Sequence, residues 1–285
     1  MTYLLALLLS LFGFGTPPRP APAAGQSSVS IPLDSAGTGT GLLPSVTRAR
    51  GPNPPLVVID AGHGGRDPGA PSATGDVQEK DVTLALAKAA RDALASSGRV
   101  RVALTREDDT YLPLEQRYAI ARRLGADLFV SLHADAAPAN ETARGATIYT
   151  LSEVASDQQA ALLAQRENEA GGGPGSAMSR DPNVNLILID LAQRESMDVS
   201  ARFAQTLYRE AAPLFGFQNN WHRFAAFVVL KAPDVPSVLF ETGYVTNHQD
   251  AAYLTSAQGQ REIATGLRRA IEAHFARRFV AAEQR

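Results

Sequence analysis

Short runs of β-branched and aromatic residues alternate with amphipathic helical stretches over most of this chain, and this alternation limits the folds open to it. The predicted strands are Leu56–Ile59, Val100–Thr105, Asp127–Leu132, Ala146–Thr150, Ala225–Leu230 and Ser237–Glu241. The predicted helices are Lys80–Ser96, Pro113–Leu124, Asp157–Asn168, Val199–Phe215 and Ala257–Arg278. Strand–helix–strand units favour parallel pairing with crossover helices. The sequence therefore predicts an α/β fold, with an open, mainly parallel twisted sheet covered by helices on both faces, in a single domain.

The first 54 residues differ in composition from the rest of the chain. The apolar run Tyr3–Gly15 is too short to span a bilayer comfortably, and Ala21 and Ala23 after it have the small-x-small spacing of a signal-peptidase site. We therefore expect residues 1–23 to be a signal peptide, which makes the protein periplasmic or secreted with no membrane span in the mature form. Retention of this segment as an anchor is the alternative, because no Lys or Arg precedes the apolar run.

Residues 24–54 are rich in Ser, Gly, Thr and Pro and poor in apolar residues. Such a composition buries too little surface to offset its ordering entropy, so we expect a flexible linker. The folded domain is expected to cover residues 55–280, followed by a short tail at 281–285.

Charge and cysteine content exclude two classes of protein. The chain has 27 basic and 29 acidic residues, a net charge of −2, and no cysteine. The basic residues are scattered, whereas a nucleic-acid binder needs a concentrated basic face. A chain without cysteine has neither disulfides nor thiolate metal ligands. We expect a monomer with no nucleic-acid partner.

Two of the predicted strands are followed by a histidine at their carboxyl ends. The stretch VVIDAGHGGRDPGA places His63 among glycines, which allow a tight turn and a close backbone approach, and ADLFVSLHADA ends on His133. The glycines match neither common phosphate-binding pattern. In open α/β sheets the site lies at the carboxyl ends of the strands. Glu79, at the start of the first predicted helix, completes a His, Glu, His set typical of a catalytic zinc with one position left for water.

Further carboxylates lie at the same predicted edge of the sheet. Glu241 ends the apolar run PSVLFE, where it could act as general base beside a metal site. A carboxylate paired with Arg or Lys in the core is the structural alternative for Glu241. Asp60 and Asp135 are candidates to orient His63 or His133 through the ring nitrogen remote from the metal. Ordinary structural hydrogen bonding explains these two aspartates equally well.

Six motifs occur in an order that resembles a known family. They are VVIDAGHGGRDPGA, EKDVTLALA, VALTREDD, FVSLHADA, GATIYTL and VPSVLFETGYVTN. Over about Leu56 to Phe279 the chain resembles the zinc-dependent N-acetylmuramoyl-L-alanine amidases of the LytC or amidase-3 type, and is similar to their cell-division members. The resemblance implies Zn²⁺ bound by His63, Glu79 and His133, with Glu241 as the catalytic glutamate.

The resemblance also implies the substrate. It predicts hydrolysis of the amide between N-acetylmuramic acid and L-alanine in peptidoglycan, for cell-wall remodelling or daughter-cell separation. Two alternatives stay open. One is another zinc hydrolase of the cell wall, either a peptidase or a deacetylase, because the ligand set does not encode the scissile bond. The other is a catalytically silent wall-binding module.

Residues 151–200 form a long insert that contains an Ala- and Leu-rich helical stretch followed by a glycine run. In the cell-division amidases that the chain resembles, a helix in this region covers the zinc site until an activator protein displaces it, often with a glutamate directed at the metal. The resemblance therefore predicts autoinhibition, with Glu167 favoured over Glu169, Glu153 and Glu195 as the blocking residue. The alternative is that Glu167 and Glu169 belong to a solvated helix face.

Overall fold

A single six-stranded sheet runs through the part of the chain that the computed structural model describes, namely residues 43–72, 74–137, 140, 142–171 and 186–283. In chain order the strands are β1 (Leu56–Ala61), β2 (Arg101–Leu104), β3 (Leu128–Asp135), β4 (Ala146–Leu151), β5 (Phe217–Ala225) and β6 (Ser237–Tyr244). The helices are α1 (Glu79–Ser97), α2 (Leu114–Leu124), α3 (Gln158–Ala170), α4 (Leu186–Ala211), α5 (His248–Thr255) and α6 (Ala257–Glu283). The predicted signal peptide, and residues 172–185 of the predicted insert, lie outside the described residues.

The order of strands across the sheet is β2-β1-β3-β6-β4-β5, and four of the five neighbouring pairs are parallel. Only β4 and β6 pair antiparallel. The link from β3 to β4 spans residues 136–145, which is shorter than the dozen or more residues that a parallel return needs, so the chain reverses direction there. The predicted open, mainly parallel sheet is confirmed.

Both faces of the sheet are covered by helices. Along β1, Val57 and Ile59 face a core shared with α1, α4 and α6, whereas Val58 faces a second core shared with α2 and α3. The alternation follows from the period of two in a strand, and burial on both faces explains why β1 is apolar without interruption until Asp60. The prediction of helices on both faces is confirmed.

The fifth predicted strand was placed wrongly. The apolar run Ala225–Leu230 was expected to be a strand, but the strand is Phe217–Ala225, and Val228–Leu230 forms one turn of 3-10 helix buried in the second core. The true strand lies at the edge of the sheet and pairs only with β4, so its sequence FQNNWHRFA carries polar residues. Burial of the apolar run therefore comes from packing and not from strand pairing.

Two helices also differ from expectation. Helix α4 begins at Leu186, thirteen residues before the predicted start at Val199, and ends at Ala211. Helix α5 has only eight residues, too few to show a clear apolar period, and was not predicted. Its start is capped by Asn247, whose side chain accepts from the N–H groups of Gln249 and Asp250. Helix α6 extends to Glu283, past the predicted domain limit of residue 280.

Residues 43–54 of the predicted flexible linker lie within the described part of the chain, whereas residues 24–42 lie outside it. Thr47 N–H donates to the Val102 carbonyl at 2.8 Å, and Val102 N–H donates to Thr47 Oγ1 at 2.9 Å, so this segment lies along the free edge of β2. Arg50 N–H donates to the Gly98 carbonyl in the same way. These backbone hydrogen bonds order a segment whose own composition would not.

Among the helices of the described residues, none combines the length and the apolarity needed to cross a bilayer.

The different burial of two phenylalanines in the sheet predicts that their replacement by alanine has very different effects on stability. Phe240 on β6 is fully buried and stacks on Phe217, whereas Phe224 on β5 is 40% exposed. We expect Phe240→Ala to lower the free energy of unfolding by about 3–5 kcal/mol. Phe224→Ala, the matched control, should lower it by roughly 1 kcal/mol or less. Urea titration followed by circular dichroism measures both, and equal losses would contradict this packing.

Candidate metal centre

Three side chains from separate elements converge at the carboxyl edge of the sheet. His63 follows β1, His133 lies on β3, and Glu79 is the first residue of α1. Glu79 Oε1 lies 3.1 Å from His63 Nε2 and 3.1 Å from His133 Nδ1. All three residues are buried, and their donor atoms lie within 4.8 Å of one another. The structure thus brings the three predicted zinc ligands together.

The Glu79 carboxylate is held by backbone groups from two directions. Its Oε2 accepts from Ala70 N–H and its Oε1 from Ala134 N–H, each at 3.0 Å. Burial alone would raise the pKa of Glu79, but the two neighbouring histidines outweigh it and lower that pKa well below its usual range. The carboxylate is therefore ionised and fixed in orientation.

Glycines provide the space that these side chains occupy. A Cβ on Gly62 would lie 2.5 Å from the ring of His133, and a Cβ on Gly69 would lie 2.7 Å from both Glu79 and the ring of His63. Gly69 also has φ +66°, which disfavours other residues. The glycine run therefore lets the backbone pass directly beside the ligand side chains.

His63 is oriented by a carboxylate on its far side. Asp67 Oδ2 lies 3.0 Å from His63 Nδ1. Burial would raise the pKa of Asp67, but its contact with His63 lowers it, so the carboxylate accepts and Nδ1 carries the hydrogen. Nε2 is then the ring nitrogen that faces Glu79, and it can bind a metal when the metal takes the place of its proton.

The donor set fits a zinc ion. Donors around a tetrahedral zinc, at about 2.0–2.1 Å from the metal, lie roughly 3.3 Å apart. His63 Nε2 is buried and makes no hydrogen bond although it lies 3.1 Å from a carboxylate oxygen, as expected for a nitrogen whose lone pair is directed at a metal. Burial disfavours a charged His63, yet Glu79 and Glu167 raise its pKa well above the usual value. The site therefore has a negative field that favours a cation.

Glu241 lies on β6 next to His133 on β3, in register across the parallel pair. It is 1% exposed, and neither carboxylate oxygen has a hydrogen-bond partner in the part of the chain that the structure describes. Burial, together with the carboxylates of Asp135, Glu79 and Glu167, raises the pKa of Glu241 well above its usual range. Among the described residues no Arg or Lys forms an ion pair with it, contrary to the structural alternative for this residue.

Glu167 reaches the same point from α3. Its Oε2 lies 3.3 Å from His63 Nε2 and 3.3 Å from His133 Nδ1. The residue is 5% exposed, and the two histidines lower its pKa against the effect of burial. The solvated-face alternative therefore fails for Glu167, whereas Glu169 on the same helix is exposed. Glu167 stands where a fourth donor would stand.

Residues on either side of Glu167 attach α3 to the domain. Arg166 Nη2 donates to Asp135 at 2.9 Å, and its Nη1 donates to the Ala136 carbonyl at 3.2 Å. Asn168 donates to the Ala226 carbonyl and accepts from Val228 N–H. These polar contacts hold the helix independently of any contact made by Glu167.

Just beyond α3, the hydroxyl of Tyr111 donates to the Gly171 carbonyl at 3.0 Å. A Cβ on Gly171 would lie 2.2 Å from the Leu114 side chain, so the chain is closely packed there as well. The carboxyl end of α3 is thus attached to the domain at Arg166, Asn168 and Gly171.

The two predicted orienting aspartates have other partners. Asp60 accepts from Thr105, Ser131 and Arg117, and Asp135 accepts from Arg166 and from Ala136 N–H. Neither makes a described hydrogen bond to His63 or His133, because both carboxylates are directed at arginines. The carboxylate beside His63 is Asp67, four residues along the same quoted stretch, a spacing that could have indicated it.

A cavity of about 550 Å³ opens beside these residues. Its lining includes His63, Asp67, Ser72, Arg166, Glu167 and Thr246. The cavity therefore borders His63 of the three proposed ligands on the side of α3, so movement of that helix would change access to His63.

Comparison with known proteins assigns the family. Residues 57–273 match the family model described as N-acetylmuramoyl-L-alanine amidase. The chain is 39% identical over 222 residues to N-acetylmuramoyl-L-alanine amidase AmiA of Escherichia coli K12, a match covering 77% of this chain and 76% of that protein. The structure resembles the catalytic domain of CwlV from Bacillus (Paenibacillus) polymyxa with a TM-score of 0.59, 26% identity, and coverage of 78% and 98%.

It also resembles the CwlD amidase from Clostridioides difficile, solved in complex with the GerS lipoprotein, with a TM-score of 0.54, 25% identity, and coverage of 78% and 98%. The resemblance predicted from the motifs is confirmed, and the chain belongs to the N-acetylmuramoyl-L-alanine amidase family.

Proposed function

We propose that this protein is a zinc-dependent amidase that cuts the bond between N-acetylmuramic acid and L-alanine in peptidoglycan. The observation that carries the proposal is the convergence of His63 Nε2, Glu79 Oε1 and His133 Nδ1 beside the unpaired, buried carboxylate of Glu241. His63, Glu79 and His133 would hold the zinc. When bound, zinc supplies a Lewis acid that polarises the amide carbonyl and makes water a better nucleophile.

Glu241 is proposed as the group that moves the proton. Its carboxylate takes a proton from the attacking water and returns it to the alanine nitrogen as the amide bond breaks. A general base must lie within hydrogen-bond reach of the proton that it takes, and the position of Glu241, in register with His133 across the β3–β6 pair, supports this role. None of the described residues forms a hydrogen bond with either carboxylate oxygen, which supports a role in this transfer.

We further propose that α3 holds the enzyme in an inhibited state. Glu167 supports this because its Oε2 lies 3.3 Å from both histidine nitrogens, close to the separation of donors around one zinc. A carboxylate there would take the position that water and substrate require. The same helix brings Arg166 into the cavity, so substrate access requires α3 to move.

Displacement of α3 is assigned to an activator protein. The polar contacts of Arg166, Asn168 and Tyr111 support a docked state that is stable without further help, so opening needs binding energy from outside. The CwlD structure was solved with a lipoprotein, so a member of this fold group binds a protein partner.

The proposed setting is the periplasm or the cell exterior, where peptidoglycan lies, and the proposed role is wall remodelling or daughter-cell separation. Mass spectrometry of digested peptidoglycan tests the reaction against its alternatives. Free stem peptides support an amidase. Shortened peptides would indicate a peptidase, deacetylated sugars a deacetylase, and unchanged material a binding module.

Removing a proposed ligand should remove the metal. We expect His63→Ala and His133→Ala to purify folded but without stoichiometric zinc, because each supplies a nitrogen at the centre of the site. His222→Ala, which changes a half-buried histidine bonded to Thr150, is the matched control and should retain zinc. Elemental analysis by mass spectrometry measures the zinc content. A His133→Ala protein with one zinc per chain would remove that residue from the ligand set.

Glu241 should affect the rate without affecting metal content. We expect Glu241→Gln to keep its zinc and to lose roughly 10²-fold or more in turnover, the usual scale for a positioned general base. The measurement is release of stem peptides in a Glu167→Ala background, so that docking of α3 does not limit the rate. Near-normal turnover would assign the proton transfer to another residue.

Glu167 should restrain the enzyme. We expect Glu167→Ala to raise activity on purified peptidoglycan, without an activator, by about 10-fold or more, equivalent to about 1.4 kcal/mol lost from the closed state. Deleting residues 156–182 should act in the same direction.

The matched control for this test is Glu169→Ala, an exposed carboxylate two residues further along α3, which should leave activity unchanged. Substantial and equal activity in the wild type and the deletion variant, with no partner present, would rule out autoinhibition.

A further inference from the structure

The backbone of His63 has a conformation that residues other than glycine rarely adopt. Its φ is +58°, and among the described residues only Asn53 is also a non-glycine with positive φ. Gly64 and Gly65 follow with φ of +124° and +58°, so the chain makes three successive left-handed steps. This conformation costs free energy at His63, and neighbouring contacts must offset that cost for it to persist.

A buried arginine on α2 makes such contacts. Arg117 is 2% exposed, and its guanidinium lies directly beneath the loop that carries His63. Nη2 donates to the His63 carbonyl at 2.8 Å, Nη1 donates to the Ala61 carbonyl at 2.8 Å, and Nε donates to the Leu112 carbonyl at 2.9 Å. The carbonyl of the strained residue itself is therefore held by a charge-assisted hydrogen bond.

Arg106 holds the same loop from the other side. Its Nε donates to the Ala61 carbonyl at 3.0 Å and its Nη2 to the Gly62 carbonyl at 2.8 Å. All three consecutive carbonyls from Ala61 to His63 thus accept from a buried guanidinium. The path of the chain into His63 is set by these bonds.

Asp60 keeps the guanidinium of Arg117 in place. Its Oδ1 lies 3.1 Å from Arg117 Nη1 and also accepts from Thr105, while its Oδ2 accepts from Ser131. The pair is buried, and its charges balance each other beneath the metal-binding atoms. The carboxylate therefore acts on the arginine, and the arginine acts on the loop.

We propose that Arg117, held by Asp60, is a positioning residue that fixes the left-handed backbone of His63 and so directs Nε2 toward Glu79 and His133. The inference rests on the zinc centre proposed above. Asp67 sets which nitrogen of the ring carries the hydrogen, whereas Arg117 determines where the backbone places the ring. Both restraints are needed, because a change of the His63 backbone from the left-handed region to a common conformation would move the whole side chain.

The test replaces the planar guanidinium of Arg117 but keeps its positive charge. Arg117→Lys retains a cation beside Asp60, but one ammonium cannot reach the Asp60, Ala61 and His63 acceptors together. We expect zinc affinity, measured by competition with a chromophoric chelator, to fall about 10- to 100-fold. The visible spectrum of the Co²⁺-substituted protein should also change, because it reports ligand geometry.

Two controls separate positioning from general stability. Arg122→Lys changes an arginine on the same helix that pairs with Asp234 at the surface, and Leu94→Val loosens the core at the far end of α1. Both should keep wild-type zinc affinity and Co²⁺ spectrum. If Arg117→Lys does not fold, the double variant Asp60→Asn/Arg117→Gln replaces it, since it removes both charges of the Asp60–Arg117 ion pair together.

The outcomes are distinct. Wild-type affinity and spectrum in the folded Arg117 variant, with zinc bound to the wild type, would overturn this inference alone. An equal loss in Leu94→Val would overturn it as well, because the effect would then follow stability. A wild-type protein that binds no zinc would overturn the proposed zinc centre and this inference with it.

Discussion

The position of the Glu79 carboxylate is the constraint on which the rest of the site depends. It lies 3.1 Å from a nitrogen of each histidine, and two backbone N–H groups, one from the loop after β1 and one from β3, fix its orientation. A buried carboxylate is costly unless it is hydrogen-bonded and opposed by positive charge. The arrangement therefore favours a cation between His63 and His133, and it explains why glycines pass beside all three side chains.

The loop that carries His63 and the helix that carries Glu167 are held in the same manner. In each, a guanidinium joins a carboxylate to backbone carbonyls: Arg117 with Asp60 beneath the loop, and Arg166 with Asp135 above the site. They differ in burial, since Arg117 is enclosed whereas the Arg166 side chain is 41% exposed. Solvent weakens exposed ion pairs. The buried Arg117–Asp60 contact therefore suits a permanent part of the site. The exposed Arg166–Asp135 contact suits a helix that an activator protein can displace.

Much of the site could be predicted because its residues follow strands whose carboxyl ends must meet. His63, His133 and Glu241 each end an apolar run, and Glu79 begins the helix after the first strand. The orienting contacts could not be predicted in the same way. Which carboxylate contacts a histidine depends on side-chain directions within a loop, so Asp60 and Asp135 were expected where Asp67 is found.

The sequence alone determined the α/β class, the parallel pairing of most strands and the edge at which the site forms, because periodicity and strand ends are local properties of the chain. The tertiary structure alone decided that β4 runs antiparallel to β6, that Val228–Leu230 forms a turn, and that Thr47 lies beside β2. It also decided that Glu167 contacts the histidines and that Arg117 lies beneath His63. Apart from the turn, these contacts join residues more than thirty positions apart, and only packing of the whole domain sets such distances.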